Sequence, residues 1–193
     1  MKIQKLVGAD RVRLRPAVIF GEDGASRALA MVLKVLAADP DATKLILTRH
    51  DDGSLEVTVD GQGLYLGSGE DGIWQSRFCE IPCLSAYEPH IADLESYFWA
   101  DANRPFEEFD LCAVQYAAAF MDVTVCRGGL KYGLHFEKGE NIGGLSVQPW
   151  DGPSGTSLRF KPDESVFGCV DISEAYIRAQ LAVLQPECKF ILK

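Results

Sequence analysis

No apolar run in the 193 residues approaches the roughly 18 that a membrane-spanning helix needs. Residues 1–5 lead straight into charged sequence, without the apolar stretch of a signal peptide. A cytoplasmic address and no membrane partner are therefore expected. Basic residues are short as well: 19 Lys and Arg stand against 28 Asp and Glu, for a net charge of −9 and a pI near 4.8. Such a surface repels a phosphate backbone, which argues against nucleic acid as a partner; Arg11, Arg13 and Arg15 are the sole candidate for a local basic patch. Histidine is scarce, and His50, His90 and His135 show no ligand spacing. The six cysteines, at 79, 83, 112, 126, 169 and 188, stand mostly inside apolar runs, and Cys79 and Cys83 have no second pair beside which to hold a metal. Buried free thiols and no metal site are expected. What the chain has in quantity is core material, 47% hydrophobic residues over a length that suits a single domain, 1–193.

The most informative stretch is residues 51–66, DDGSLEVTVDGQGLYL. Asp52-Gly53 signals a hairpin turn. Leu55, Val57 and Val59 then alternate with Glu56, Thr58 and Asp60, so that one set faces a core and the other faces away. The strand breaks at Gly61-Gln62-Gly63. A preceding strand over residues 44–50 completes the hairpin. Before it, Leu29, Val32, Leu33 and Leu36 recur at helical spacing and predict a helix over residues 25–38, stopped by Asp39-Pro40.

The remaining segments read as follows. Residues 1–15 form an N-terminal arm that runs into a basic turn or helix ending at Arg15-Pro16, followed by a short strand over 17–20 closed by Gly21. Residues 72–81 suggest a strand and 90–100 a short helix with Ile91, Leu94 and Phe98 on one side. A helix is expected over 109–121. Three strands are expected over 122–147, with turns at Gly128-Gly129 and at 139–141. Asp171 and Glu174 suggest a capping box opening a last helix over 172–184, and residues 188–192 a final strand.

The strand, Asp-Gly-Gln-Gly and loop at 55–66 resemble the adenine-binding signature of the GHKL ATPase superfamily, and of the N-terminal ATPase domain of DNA gyrase B and its topoisomerase IV counterpart in particular. LRPAVIFG (14–21), the run 122–147, Ser154-Gly155-Thr156 and the closing helix, proline and strand are similar to that family in the same order. The resemblance implies an α/β (α+β) fold: a two-layer sandwich of a mixed, mostly antiparallel sheet covered on one face by three or four helices. It also implies where nucleotide chemistry would sit. The aspartate that grips adenine falls on Val59, within a pocket of Val59, Asp60, Gly61, Gly63 and Thr156, the threonine that would support that aspartate through a water. The general base and the Mg²⁺-holding asparagine of the first long helix fall on Lys34 and Ala38. An ammonium is protonated at neutral pH unless strongly desolvated, and alanine offers a metal no oxygen.

The family's glycine-rich ATP lid falls on residues 107–121, which contain no glycine; Glu107, Glu108 and Asp110 suit a helix N-terminus but repel a triphosphate. No cofactor is therefore expected, with ATP and Mg²⁺ entering only if these positions are differently matched. Three functions stay open. The chain is a catalytically inactive domain acting through a protein partner or as a homodimer, including one engaging a topoisomerase; or it binds a nucleotide or small ligand in an altered pocket; or it is a weak ATPase with diverged motifs. The backbone reading of Gly61 and Gly63, as residues needed for a sharp turn, requires no ligand.

Overall fold

The computed structural model describes residues 9–37, 39, 41–62, 107–168, 170, 172–184 and 189–193. The hairpin forms where the alternation places it: β1 (Lys44–Arg49) pairs antiparallel with β2 (Leu55–Val59), Leu45 opposite Val59 and Arg49 opposite Leu55. Its turn is closed by Asp52, whose Oδ1 accepts from the Ser54 N–H at 3.0 Å and the Ser54 hydroxyl at 2.6 Å, with Gly53 at φ 79°. The strands β3 (Ala118–Arg127), β4 (Leu130–Glu137), β5 (Glu140–Asn141), β6 (Ser146–Pro149), β7 (Gly155–Pro162) and β8 (Lys189–Leu192) complete one sheet in the order β5-β4-β3-β7-β2-β1-β8, with β6 also beside β4. Among these described strands, pairing is antiparallel throughout except between β1 and β8.

One face of the sheet is apolar and packed. Leu45, Leu47, Val57, Val59, Leu158, Phe160, Met121, Val123 and Phe136 lie buried in a single cluster with the helices. The central helix there is α3 (Gly24–Ala37), after α1 (Ala9–Leu14), α2 (Pro16–Phe20) and a 3-10 turn at Gly21–Asp23. It packs on β2 and β7 and is flanked by α4 (Glu107–Ala117) and, beyond the short α5 (Glu164–Phe167), by α6 (Glu174–Leu184). Because it has neighbours on several sides, α3 is buried at Ala25, Ala28, Leu29, Val32, Leu33, Val35 and Leu36 alike, while Arg27 and Lys34 mark its exposed stripe. The architecture is the expected one: a mixed, mostly antiparallel sheet with helices on one face.

Several expected elements change type or bounds. Residues 17–20 belong to helix α2, not to a strand. A four-residue apolar run does not distinguish the two, and here Pro16 opens the helix while Phe20 is buried edge-on against Phe167, ring centroids 5.1 Å apart. The helix expected to reach residue 121 ends at Ala117; Ala118 pairs with Pro162 and Met121 with Phe160, so tertiary pairing overrides the helix propensity of an alanine run. Four strands rather than three occupy 118–149, because the turn at Lys138 (φ 49°) and Gly139 (φ 90°) leaves room for β5. The last helix starts at Glu174, two residues late, where the Ser173 hydroxyl accepts from the Tyr176 N–H at 3.2 Å. The strand and helix expected at 72–81 and 90–100, with Asp171 and Cys188, lie outside the described residues.

Candidate functional site

Register decides which side chains meet. Leu45, Val59, Thr156, Val125 and Tyr132 stand opposite one another across β1, β2, β7, β3 and β4, on the helix-covered face. Val59 and Thr156 are therefore direct cross-strand partners, each 2% exposed. The structure thus brings these two expected pocket residues side by side. Their pairing is close because Gly155 precedes Thr156: a Cβ at Gly155 would stand 2.5 Å from the Val59 carbonyl oxygen, so only glycine allows β7 to approach β2 there. The valine side chain sits in the core cluster with Leu45, Val57 and Val125.

Asp60 faces another task. Its Oδ1 accepts from the Thr43 and Lys44 N–H groups, each at 2.8 Å, and its Oδ2 from the Thr43 hydroxyl at 2.6 Å. Burial pushes this carboxyl up, but the hydrogen bonds from Thr43 and Lys44 together outweigh it and hold the group below the usual carboxylate range. Both oxygens thus clamp the start of β1 to the end of β2. Gly61, at φ 106°, packs on the connection that follows α3: a Cβ would fall 2.6 Å from Asp39 Oδ2. The Gln62 amide donates to Asp41, and Asp39 in turn accepts from the Asp41 N–H at 3.0 Å. The Asp-Gly-Gln turn is tied to residues 39–44 by its own protein, which is the backbone reading of the first glycine. Gly63 lies outside the described residues.

Lys34 is on the exposed stripe of α3, while Val59 is buried beneath that helix, so the structure does not bring the two together. Ala38 lies outside the described residues. The helix α4 begins at Glu107, where the lid of the resembling family would run into its helix. Of the arm, residues 9–14 form α1, and Arg13 is not a free cation. It donates to the Tyr116 carbonyl at 3.0 Å, to the Ser165 hydroxyl at 3.2 Å and to the Asp163 carboxylate. Asp163 also caps α5 by accepting from the Ser165 N–H at 2.8 Å. Burial pushes the Asp163 carboxyl up, and the Arg13 and Ser165 hydrogen bonds bring it down to about 2. The candidate basic patch of Arg11, Arg13 and Arg15 is thereby reduced by one of its three members. This latch joins residues 150 apart, and no local pattern announces it.

The opposite face of the sheet is polar. Thr48, Glu56, Arg159, Asp122 and His135 form a row across β1, β2, β7, β3 and β4. Glu56 accepts from the Ser157 hydroxyl at 2.7 Å and lies 3.0 Å from His50 Nε2; the Ser157 bond, with His50 helping, holds its carboxyl low against burial. Serine, glutamate and histidine do meet here, but the carboxylate stands between the other two, so the imidazole cannot take the serine proton and the set is no nucleophile with its base. Next to it a cleft of about 310 Å³ is lined by Lys44, Thr58, Thr124 and Ser157 and, among the expected pocket residues, by Val59, Asp60 and Thr156. Among the described residues no group of His, Cys, Asp or Glu could hold a metal ion. Cys126, buried, is a free thiol as expected. No described helix is long and apolar enough to cross a membrane.

No family model matches the chain. It is 27% identical to the B subunit of the type 2 topoisomerase of Aquifex aeolicus over 204 residues, which cover 98% of this chain and 24% of that protein. It is equally 27% identical to the mitochondrial DNA gyrase B of Arabidopsis thaliana over 206 residues, 100% of this chain and 28% of the relative. The chain therefore spans about a quarter of the length of these relatives. Among solved structures, the 43K ATPase domain of Thermus thermophilus gyrase B, in complex with an aminocoumarin, superposes with a TM-score of 0.73 at 23% identity, covering 97% of this chain and 49% of that one. In sequence the chain is similar to gyrase B subunits, and it shares the fold of the gyrase B ATPase domain.

Proposed function

We propose that the chain is a catalytically inactive gyrase-B-like domain that acts through contact with another protein, a second copy of itself or a topoisomerase-type partner. The observation that carries this reading is Val59. At the position implied for the carboxylate that grips adenine, the chain has an apolar side chain that is 2% exposed and packed among Leu45, Val57 and Val125. It offers no acceptor to an exocyclic amine, while Thr156, which would have supported that acceptor, remains opposite it. The neighbouring Asp60 is engaged in the hairpin, where its two oxygens accept three hydrogen bonds from Thr43 and Lys44. An exposed lysine at the implied general-base position supports the same reading. A domain that keeps its sheet and helices but not these groups has its surface left to work with.

The test has two arms, both on the intact chain. With ATP and Mg²⁺ at high protein concentration, phosphate release should stay at the buffer rate; turnover that disappears on Asp60→Asn or Thr156→Val would overturn the inactive reading. Affinity capture and light scattering should find a partner or a dimer. A chain that stays monomeric and retains nothing contradicts the contact reading.

A further inference from the structure

The edge of the sheet beyond β4 is unusual for an acidic protein. Residues 141–150, Asn-Ile-Gly-Gly-Leu-Ser-Val-Gln-Pro-Trp, carry no charge, in a chain in which 24% of residues are charged. All four residues of β6 are exposed, Val147 is 50% exposed and Ile142 45%. Edge strands are ordinarily blunted by charges, and this one lacks them.

The hydrogen-bond phase of the edge follows from its ladder. Trp150 N–H donates to the Gly129 carbonyl at 2.9 Å, and Gln148 stands opposite Lys131 and Ser146 opposite Gly133. In an antiparallel pair, bonded and non-bonded residues alternate. The backbone groups of Ser146 and Gln148 therefore point to β4, and the Val147 N–H and C=O and the Pro149 C=O point outward. Pro149 occupies an outward position, where its missing N–H takes nothing from the ladder. Val147 also continues the helix-side row, opposite Tyr132.

We propose that β6 is a pairing edge for a second copy of this chain, the two β6 strands meeting antiparallel about a two-fold axis at Val147. This rests on the protein-contact reading above and names the surface. In that register the Val147 N–H of each copy donates to the Val147 carbonyl of the other, and each Leu145 N–H meets a Pro149 carbonyl. Ser146 faces Gln148, so no like charges are opposed. The interface is isologous, as a two-fold contact must be, and the half-exposed valines cover each other. A second copy is favoured over a charged peptide because this uncharged run is a place where two chains of net charge −9 approach without opposing carboxylates.

Two variants of the full chain test it. In Val147→Cys the two Cα atoms would stand about 5.5 Å apart, within disulfide reach. Mild oxidation should give a covalent dimer well above the level formed by the wild-type chain through its own cysteines. In Val147→Lys two ammonium groups would face each other, and sedimentation equilibrium should show association weakened by about tenfold or more, with an unchanged circular dichroism spectrum confirming the fold. No excess covalent dimer, or a wild-type chain that is monomeric at every concentration, overturns the proposal. Association of Val147→Lys at wild-type strength also overturns it, and leaves the contact reading standing with a different surface; ATP turnover would instead strike that reading and not the edge.

Discussion

Valine at 59 is a change in what the interior can tolerate as much as in what it can bind. A carboxylate placed there by Val59→Asp would sit among Leu45, Val57 and Val125, with Thr156 the buried polar residue opposite it. Burying such a group costs several kcal/mol or forces its protonation. We expect Val59→Asp to lose about 3 kcal/mol of stability in urea titration at neutral pH; a variant as stable as the wild type would mean that polar space already exists beside residue 59. Gly155→Ala should also destabilise, by about 1–3 kcal/mol, because its methyl group would press on the Val59 carbonyl oxygen at 2.5 Å. Gly129→Ala, where no described atom lies within 4 Å of an added Cβ, controls for the loss of a positive-φ glycine alone. The alternation in residues 55–59 was enough to put Val59 inside and Glu56 and Thr58 outside. The commitment of Asp60 to Thr43 was not legible, because it depends on how the end of β2 returns past the start of β1.

Among the elements, α1 is held by Arg13 as well as by Val12, which is buried in the core. Asp163 has a folded pKa of about 2, below its ordinary value of 3.8, so its pairing with Arg13 and Ser165 contributes stability above that unfolded value and loses it as pH falls toward 2. Arg13→Ala should therefore destabilise the chain by about 1–3 kcal/mol at neutral pH and less at acidic pH, which denaturant titration at several pH values would resolve. On the opposite face the sign reverses. His135 lies 2.6 Å from Asp122 and 3.5 Å from Glu137, and the Asp122 hydrogen bond raises its pKa from 6.5, partly offset by burial. A raised folded pKa gives stability that is fully present below pH 6.5 and is lost as pH rises through the folded value. Asp122→Asn should flatten that dependence; an unchanged profile would locate its source elsewhere. Long periodic elements such as α3 and the β1–β2 hairpin were readable because burial imposes the period on the sequence. The helix α2 and the start of β3 were not, since a short apolar run and an alanine run take their form from Phe167 and from β7 respectively.

At the scale of the molecule, the eight described strands and the helices over one face form one layered fold, while the positions that the resemblance implies for adenine, metal and base carry Val59, Ala38 and Lys34. The fold was legible because many weak signals occurred in one order along the chain. Of the residues implied for the pocket, Val59 and Thr156 meet across β2 and β7, whereas Lys34 lies on an exposed stripe that only the packing of α4 and α6 around α3 defines. Loss of a hydrogen bond to an adenine amine by itself removes about 1.5–3 kcal/mol, roughly a ten- to hundredfold loss in affinity, before the loss of metal and lid contacts. Calorimetric titration of ATP with Mg²⁺ into the intact chain tests this most directly. The account predicts no binding below millimolar concentrations, and a micromolar dissociation constant, abolished by Thr156→Val, would contradict it.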